Sequence, residues 1–313
     1  MDSLTLVLFI LGFVLLVGGA NLLVEGASRL AGLLGVSPLI IGLTVVAFGT
    51  SAPELAVSVQ SSLQGQTDLA IGNVVGSNIL NILLVLGVAA LITPISVHER
   101  LVKLEVPIMI AVSVLLLVLS FDGIISRWDG LLLFSGILLY ILFTIKTQHK
   151  VEVSETEQDS NSGVASIILQ LLFIIIGLGL LVLGSQWLVN GAVAIAELFG
   201  VSQLVIGLTI VSIGTSLPEL ATVVVASLKK QEDLVVGNVV GSNIFNILLV
   251  LGATSLVAPN GIVVSEAAIE FDMLIMIAVA FLCLPIFFNG KIQRWEGGLF
   301  LGLYVAYTTY LLL

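Results

Sequence analysis

The stretch GLTVVAFGTSAPELA, from Gly42 to Ala56, recurs as GLTIVSIGTSLPELA from Gly207 to Ala221. Adding 165 to the number of Glu54 gives Glu219, and the two copies align without a gap. Both copies lie within apolar runs, and a charged side chain at the bilayer centre costs roughly 2.5–3.5 kcal/mol on insertion scales. Two such glutamates at equivalent places therefore predict a functional site whose ligand is a cation.

The repeat extends well beyond these two stretches. GNVVGSNILNILLVLG from Gly72 matches GNVVGSNIFNILLVLG from Gly237 at the same offset. FDGIISRWDG from Phe121 matches FNGKIQRWEG from Phe288, and 288 minus 121 gives an offset of 167. The chain is therefore predicted to be a duplicated unit with a small insertion in its second copy.

The composition is that of an integral membrane protein. Hydrophobic residues make up 58% of the chain, charged residues only 10%, and the mean hydropathy is +1.23, whereas a soluble domain has roughly 25% charged residues. Apolar runs of about 20 residues predict a bundle of membrane-spanning helices, and the alternation typical of a β-barrel is absent. We predict ten spans: Leu4–Gly26, Leu39–Leu63, Leu69–Ile92, Leu104–Ser120, Leu131–Ile145, Ile167–Val189, Leu204–Leu228, Leu234–Val257, Phe271–Phe288 and Gly297–Leu312.

Five spans in each half predict two repeats of opposite orientation, a pattern typical of secondary transporters whose site lies where the repeats meet. Cytoplasmic loops are rich in lysine and arginine. With both termini outside, only Arg127 of the ten basic residues lies on the outer side. We predict a first repeat at 1–146 with its motif at 42–90, a short acidic cytoplasmic linker at 147–163, and a second repeat at 164–313 with its motif at 207–255.

The proline in each glutamate motif predicts a break in its helix. Pro53 has no N–H to donate to the carbonyl of Gly49, so a kink and a freed carbonyl are expected beside Thr50, Ser51 and Glu54. Pro218 predicts the same arrangement in the second copy, with Thr215, Ser216 and Glu219.

The next span of each half adds Ser77 and Asn81 on one helix face, and Ser242 and Asn246 on the equivalent face. These candidate ligands are all oxygens, which suits a hard cation such as calcium and argues against zinc or copper. The alternative for the four polar side chains is hydrogen bonding between helices, but packing does not explain two buried glutamates.

Other residues are given structural roles. Gly72, Gly76, Gly237 and Gly241 are expected to let helices approach closely. Asp68 and Asp233 are expected near the positive ends of helices, whereas Glu25, Glu105, Glu270 and Asp272 are interpreted as solvated or secondary. The single cysteine, Cys283, is interpreted as an apolar filler. Clustered positive charge that would indicate nucleic-acid binding is absent from the sequence.

The two copies of G-T-S-x-P-E and G-S-N-x-x-N resemble the alpha repeats of the calcium/cation antiporter superfamily, in particular bacterial inner-membrane sodium/calcium exchanger homologues. The resemblance covers nearly the whole chain and implies a ten-helix fold with four central ion sites. It makes Glu54 and Glu219 shared ligands of calcium and sodium, with Asn81 and Asn246 completing the centre. It also implies one sodium site formed by Thr50, Ser77 and the carbonyl of Ala47, and a mirror site formed by Thr215, Ser242 and the carbonyl of Ser212.

The predicted function is an inner-membrane antiporter that exports calcium in exchange for sodium by alternating access. It needs no cofactor, and its partners are the two ions and membrane lipid, without an obligatory protein partner. Two protons would balance two carboxylates as well as one calcium ion does, so calcium/proton antiport is the first alternative. A cation channel and an intramembrane hydrolase using Ser51 or Ser216 are weaker alternatives, because the repeat is typical of transporters and neither serine has a histidine or lysine nearby in sequence.

Overall fold

The computed structural model describes residues 3–147, 164–199 and 212–312. Most of these residues are helical. The helices are α1 Ser3–Leu34, α2 Pro38–Thr50, α3 Ala52–Leu63, α4 Thr67–Ile92, α5 Leu101–Leu119, α6 Arg127–Lys146, α7 Val164–Leu198, α8 Ser212–Thr215, α9 Leu217–Leu228, α10 Glu232–Val257, α11 Ala268–Phe288 and α12 Arg294–Leu312. Four strands of two residues complete the fold: β1 Ile95–Ser96, β2 Ile124–Ile125, β3 Ile262–Val263 and β4 Lys291–Ile292.

Within the described ranges, seven helices are long and apolar enough to cross a membrane, and the bent pair α2–α3 makes an eighth. The prediction of a helical, multi-pass membrane protein is therefore confirmed, and the full count of ten spans stays a prediction. The seventh predicted span begins at 204–211, outside the described residues, and most of the predicted linker lies outside them as well. The first span continues past Gly26 to Leu34, so α1 is longer than expected.

The predicted breaks in the glutamate motifs are present. Helices α2 and α3 meet at Ser51 with a bend of 40°, and α8 and α9 are interrupted in the same way at Ser216. In each case the proline is the second residue of the new helix, where its missing N–H costs no hydrogen bond. Each glutamate therefore lies in the first turn of a helix.

Glycines spaced seven residues apart join α1 to α7. A Cβ added to Gly19 would lie 2.7 Å from the carbonyl oxygen of Gly177, and one added to Gly12 would lie 2.9 Å from that of Gly184. Residue numbers rise from Gly12 to Gly19 along α1 while those of their neighbours fall from Gly184 to Gly177 along α7, so the two helices are antiparallel. Backbones approach this closely only where the side chain is hydrogen, so the seam fixes the register of the two longest helices.

Short strands and two arginines link the halves of the chain. Strand β1 pairs with β4 and β2 with β3, both antiparallel. Arg127 donates to the carbonyl oxygen of Ala258 at 3.2 Å, just past the end of α10, and Arg294 donates to that of Ile92 at 3.3 Å, at the end of α4. The two arginines occupy matching places in the repeat, since 294 minus 127 is 167, and each satisfies an end carbonyl of the other half.

Helices α4 and α10 carry π-helical turns at equivalent places, over Asn81–Leu86 and Asn246–Leu251. A π turn inserts a residue into the helix and is frequently found at functional sites. Both turns begin at a predicted site asparagine. Helix α10 is buried along almost its whole length and forms the centre of the bundle.

Candidate cation-binding site

Glu54 and Glu219 are buried side chains, with 0% and 1% of their surface exposed. Each lies in the first turn of its helix, where the partial positive charge of the helix end stabilises a carboxylate. Glu54 Oε1 accepts a hydrogen bond from Ser216 at 3.0 Å. The other three carboxylate oxygens have no hydrogen-bond partner among the described residues. Buried oxygens of this kind are costly unless a cation or a proton accompanies them.

The hydroxyl groups around the glutamates are paired across the two halves. Ser216 Oγ lies 3.1 Å from Ser77 Oγ, and Thr50 Oγ1 lies 3.3 Å from Ser242 Oγ. The resemblance places Ser77 with Thr50 and Ser242 with Thr215 at the two sodium sites, and these groupings stay predictions. The hydroxyls meet across the halves because each broken helix packs on the long helix of the other half, α2 on α10 and α8 on α4.

The remaining predicted ligands lie at the two breaks. The carbonyl oxygen of Ala47 accepts the N–H of Ser51 at 3.0 Å and lies 3.5 Å from Thr50 Oγ1. A carbonyl oxygen has two lone pairs, so this hydrogen bond does not exclude a cation. Ser51 Oγ is buried and has no hydrogen-bond partner among the described residues. Ser212 begins α8. Its carbonyl therefore precedes the break in its helix, as the carbonyl of Ala47 does in the first copy.

Asn81 and Asn246 present amide oxygens to the interior of the bundle. Asn81 Nδ2 donates to Asn243 Oδ1 at 3.3 Å, and Asn246 Nδ2 donates to Asn78 Oδ1 at 3.1 Å. These bonds engage the nitrogen ends of both amides. The two Oδ1 atoms are buried without a hydrogen-bond partner in the described part of the chain. The structure thus adds Asn78 and Asn243 as orienting residues, which sequence reasoning missed although both are the first asparagine of the G-S-N-x-x-N motif.

Asn73 and Asn238 are a second pair that sequence reasoning missed. Asn73 Nδ2 donates to the backbone carbonyl of Glu54 at 3.1 Å, and its Oδ1 accepts from Thr215 at 3.2 Å. Asn238 Oδ1 accepts from Thr50 at 3.2 Å and from Ser242 at 3.0 Å. The two asparagines are 165 residues apart, the offset of the glutamates. Because both follow the glycine that opens the repeated G-N-V-V-G-S-N segment, the repeat itself was the signal that could have found them.

The chemistry of the site is that of a hard-cation site with two negative charges. No cluster of three or more histidine, cysteine, aspartate or glutamate side chains occurs within the described ranges. A cation held between the glutamates would therefore complete its coordination with neutral hydroxyl, amide and carbonyl oxygens. Calcium and sodium accept such ligands, whereas zinc and copper favour nitrogen and sulfur.

A cavity of about 450 Å³ leads from the surface toward this site. Its outer wall includes the exposed side chains of Asp68 and Ser265, and its wall further in includes the half-buried Asp272. Its inner end is lined by the buried side chains of Asn73 and Thr215. Thr215 donates to Asn73, and Asn73 donates to the backbone carbonyl of Glu54, so the cavity ends at the candidate site.

The equivalent place in the other half is closely packed. A Cβ added to Gly237 would lie 2.8 Å from the carbonyl oxygen of Leu39, and one added to Gly241 would lie 2.8 Å from Ala47 Cβ. The predicted role of these two glycines in close helix packing is confirmed. Gly72 differs, because a Cβ built there would meet no described atom within 4 Å. Among the described residues, Gly72 therefore lines a cavity, whereas its counterpart Gly237 packs against α2.

Glu105, interpreted from the sequence as solvated or secondary, is not solvated. Its side chain is fully buried, forms an ion pair with Arg100 at 2.8 Å and accepts from the hydroxyl of Tyr140 at 2.9 Å. Asp272 is half-buried and accepts from Tyr307 at 2.9 Å. The sequence concealed the two tyrosine contacts because each tyrosine lies 35 residues from its acid, on the next helix.

A multi-pass helical membrane protein with two buried carboxylates among neutral oxygens belongs to the class of cation transporters. The family described as "Sodium/calcium exchanger protein" matches residues 4–146 and 169–313. The chain belongs to this family, within the calcium/cation antiporter superfamily.

Similar proteins cover nearly the whole chain. The inner membrane protein YrbG of Escherichia coli (strain K12) is 40% identical over 280 residues, which cover 88% of this chain and 86% of YrbG. The sodium/calcium exchanger MaX1 of Methanosarcina acetivorans is 34% identical over 98% of both chains. A structure of the sodium-calcium exchanger NCX_Mj, soaked with 10 mM Na+ and zero Ca2+, is 34% identical, covers 99% of each chain and has a TM-score of 0.87. Fold and family thus indicate cation antiport rather than an enzyme activity.

Proposed function

We propose that the chain exports calcium in exchange for sodium, and that both ions bind at Glu54 and Glu219. The observation that carries the proposal is the set of buried oxygens without partners among the described residues: three from the two carboxylates and one each from Asn81 and Asn246. Such a set is costly without a positive charge. The names of MaX1 and NCX_Mj as sodium/calcium exchangers support the identity of the two ions.

Three groups of ligands make up the proposed site. Glu54, Glu219, Asn81 and Asn246 form its centre. Ser77 and Ser216 flank the centre on one side, together with Thr215 and the carbonyl of Ser212. Thr50 and Ser242 flank it on the other side, together with Ser51 and the carbonyl of Ala47. This assignment keeps all of the predicted ligands but follows the pairing of hydroxyls seen in the structure.

The net charge of the site bears on the current that the exchange of sodium for calcium would carry. Two carboxylates balance one calcium ion, and asparagine rather than a third carboxylate occupies position 246. Three sodium ions in the same site would leave one net positive charge. An exchange of three sodium ions for one calcium ion would therefore carry current across the membrane.

Alternating access between two inverted five-helix repeats is the proposed mechanism. The cavity on one side and the close glycine packing on the other support it, since a transporter of this kind opens its site to one side at a time. With both termini outside, the cavity mouth at Asp68 and Ser265 faces outward. The inner membrane is the proposed location, in keeping with the name of YrbG.

The test is uptake of radioactive calcium into proteoliposomes loaded with sodium, compared with proteoliposomes that carry only a proton gradient. We expect uptake driven by the outward sodium gradient, and none in Glu54→Gln or Glu219→Gln. Ser113→Ala is the matched control, because this buried hydroxyl bonds only within its own helix, to the carbonyl of Met109. Calcium transport retained by either glutamine variant would refute the site.

Calcium/proton antiport is the second candidate, and the same unpartnered carboxylate oxygens favour it. Two protons would neutralise Glu54 and Glu219 as completely as one calcium ion. Uptake driven by the proton gradient alone would keep the site and change the coupling ion. A channel is distinguished by calcium flux that needs no counter-ion gradient.

A further inference from the structure

An acid and a tyrosine form a buried pair at equivalent places in the two halves. Glu105 accepts from Tyr140 and Asp272 accepts from Tyr307, both at 2.9 Å. Both members of the second pair lie 167 residues beyond those of the first, the offset of the Arg127 and Arg294 segments. The two carboxylates therefore occupy matching positions at the starts of α5 and α11.

The two carboxylates differ in the charge around them. Arg100 forms an ion pair with Glu105 and also binds the carbonyl and hydroxyl oxygens of Thr147 at 2.9 and 3.0 Å. The position equivalent to Arg100 is the exposed Ala267, since 100 plus 167 is 267. Within the described ranges, the ion pairs are Arg29–Glu25, Arg100–Glu105 and Lys103–Glu99. The charge of Asp272 is thus not balanced by an ion pair there.

Asp272 lies on the wall of the cavity between its mouth and its inner end. The residues of the mouth are exposed, Asp272 is half-buried, and Asn73 and Thr215 at the inner end are buried. At the inner end, Thr215 donates to Asn73 at 3.2 Å, and Asn73 donates to the backbone carbonyl of Glu54 at 3.1 Å. A cation that approaches the glutamates through this cavity passes Asp272.

We infer that Asp272 attracts cations into the cavity, and that it thereby sets the external calcium concentration at which exchange is half-maximal. Asp68 lies at the mouth of the cavity and Asp272 further in. A carboxylate within a cleft that has largely apolar walls focuses the electric field and raises the local concentration of cations. Arg100 prevents Glu105 from acting in the same way in the other half. The role in calcium affinity rests on the proposed calcium transport, whereas the attraction of cations does not.

The first experiment measures the potential in the cavity without transport. Gly72→Cys places a thiol on the cavity wall, where there is room for a side chain, and Cys283→Ala removes the native thiol. The rate of modification is compared between a trimethylammonium-bearing and a sulfonate-bearing methanethiosulfonate. Asp272→Asn should lower the ratio of cationic to anionic rates about tenfold. An unchanged ratio, or a thiol that neither reagent reaches, would overturn the inference.

Two further variants test the comparison between the halves. Ala267→Arg should place a guanidinium beside Asp272, as Arg100 lies beside Glu105, and should lower the ratio in the same direction. It also preserves the Asp272–Tyr307 hydrogen bond, so it separates charge from folding. Glu105→Gln should leave the ratio unchanged. An effect of Glu105→Gln equal to that of Asp272→Asn would contradict the assignment.

The second experiment measures calcium uptake at varied external calcium. Asp272→Asn should raise the KM for calcium about tenfold, leave the maximal rate within a factor of about two, and lose most of its effect at high ionic strength. An unchanged KM would overturn the role in transport. If the wild-type chain moves no calcium while the thiol ratio still responds to Asp272, the proposed function fails and the attraction of cations stands.

Discussion

Asn78 and Asn243 decide which atom of each central amide is available. Because Asn81 and Asn246 donate their nitrogens to these residues, their buried oxygens are left without a hydrogen-bond partner among the described residues. Residues that orient a metal ligand typically contribute 10- to 100-fold to affinity. We expect Asn243→Ala and Asn78→Ala each to weaken apparent calcium affinity by about tenfold, measured as the KM for calcium uptake. Affinity equal to wild type in both variants would contradict this role.

The hydrogen bond from Ser216 to Glu54 is a contact between the two halves, and its contribution to ion binding can be tested. Ser216 Oγ bonds Glu54 Oε1 at 3.0 Å although the glutamate belongs to the other motif. A hydrogen bond to a charged group is worth about 1.5–3 kcal/mol, so Ser216→Ala should weaken ion binding by about tenfold or more. Sodium-dependent calcium uptake provides the measurement. Ser120→Ala, a buried hydroxyl bonded to its own helix, is expected to behave as wild type.

At the scale of single residues, the sequence predicted the buried charges but missed the contacts between the halves. Glu54 and Glu219 could be found because a buried charge is expensive wherever the helix lies. The pairing of Ser77 with Ser216 could not, since it depends on which helices of the two halves are neighbours. The orienting role of Asn78 was missed for the same reason, although its position in the motif was visible.

The seam between α1 and α7 is a property of whole helices. A methyl group on Gly177 would lie 2.7 Å from the backbone nitrogen of Leu23, an atom that cannot rotate away. Gly179 lies on the same helix, and a Cβ there would meet no described atom within 4 Å. Gly177→Ala is therefore expected to destabilise the protein by about 1–3 kcal/mol, whereas Gly179→Ala should not. Thermal unfolding in detergent compares the two, and equal midpoints would refute a close-packed seam.

Arg100 and Glu105 form an ion pair at the start of α5, and Arg100 also binds Thr147 at the end of α6. Glu105 is completely buried, and removing one partner of a buried pair costs about 3–5 kcal/mol because the other charge is left alone. Arg100→Ala should therefore lower the unfolding temperature, and adding Glu105→Gln should recover part of the loss. A double variant less stable than Arg100→Ala alone would show that the buried charge is not the cause.

At the scale of helices, the sequence predicted which segments are helical, but it did not predict how long each helix is. Hydropathy identified the first span, but the prediction ended it at Gly26. In the structure, Glu25 pairs with Arg29 at 2.6 Å, four residues along the same helix. Such a pair contributes about 0.2–0.5 kcal/mol to a helix, and α1 continues to Leu34. The kink at Pro53 was predictable because proline alone determines it.

The whole molecule is held together by contacts between its halves. Both strand pairs and both arginine clamps join one half to the other. We expect a chain divided within the predicted linker at 147–163 to remain functional when both parts are made together. Calcium uptake by membranes from cells that make both parts, or only one, is the measurement. Activity in a single half would contradict the interlocked architecture.

The crossed pairs of Ser77 with Ser216 and Thr50 with Ser242 also bear on how such a protein could originate. Since hydroxyls beside each glutamate bond to hydroxyls of the other half, one half alone lacks these pairs. With the predicted inversion of the repeats, a gene that encoded a single half would have needed two copies of its product, inserted in opposite directions, to form them. Pairing would then have come first and gene fusion second, with the linker as the place where two separate chains became one.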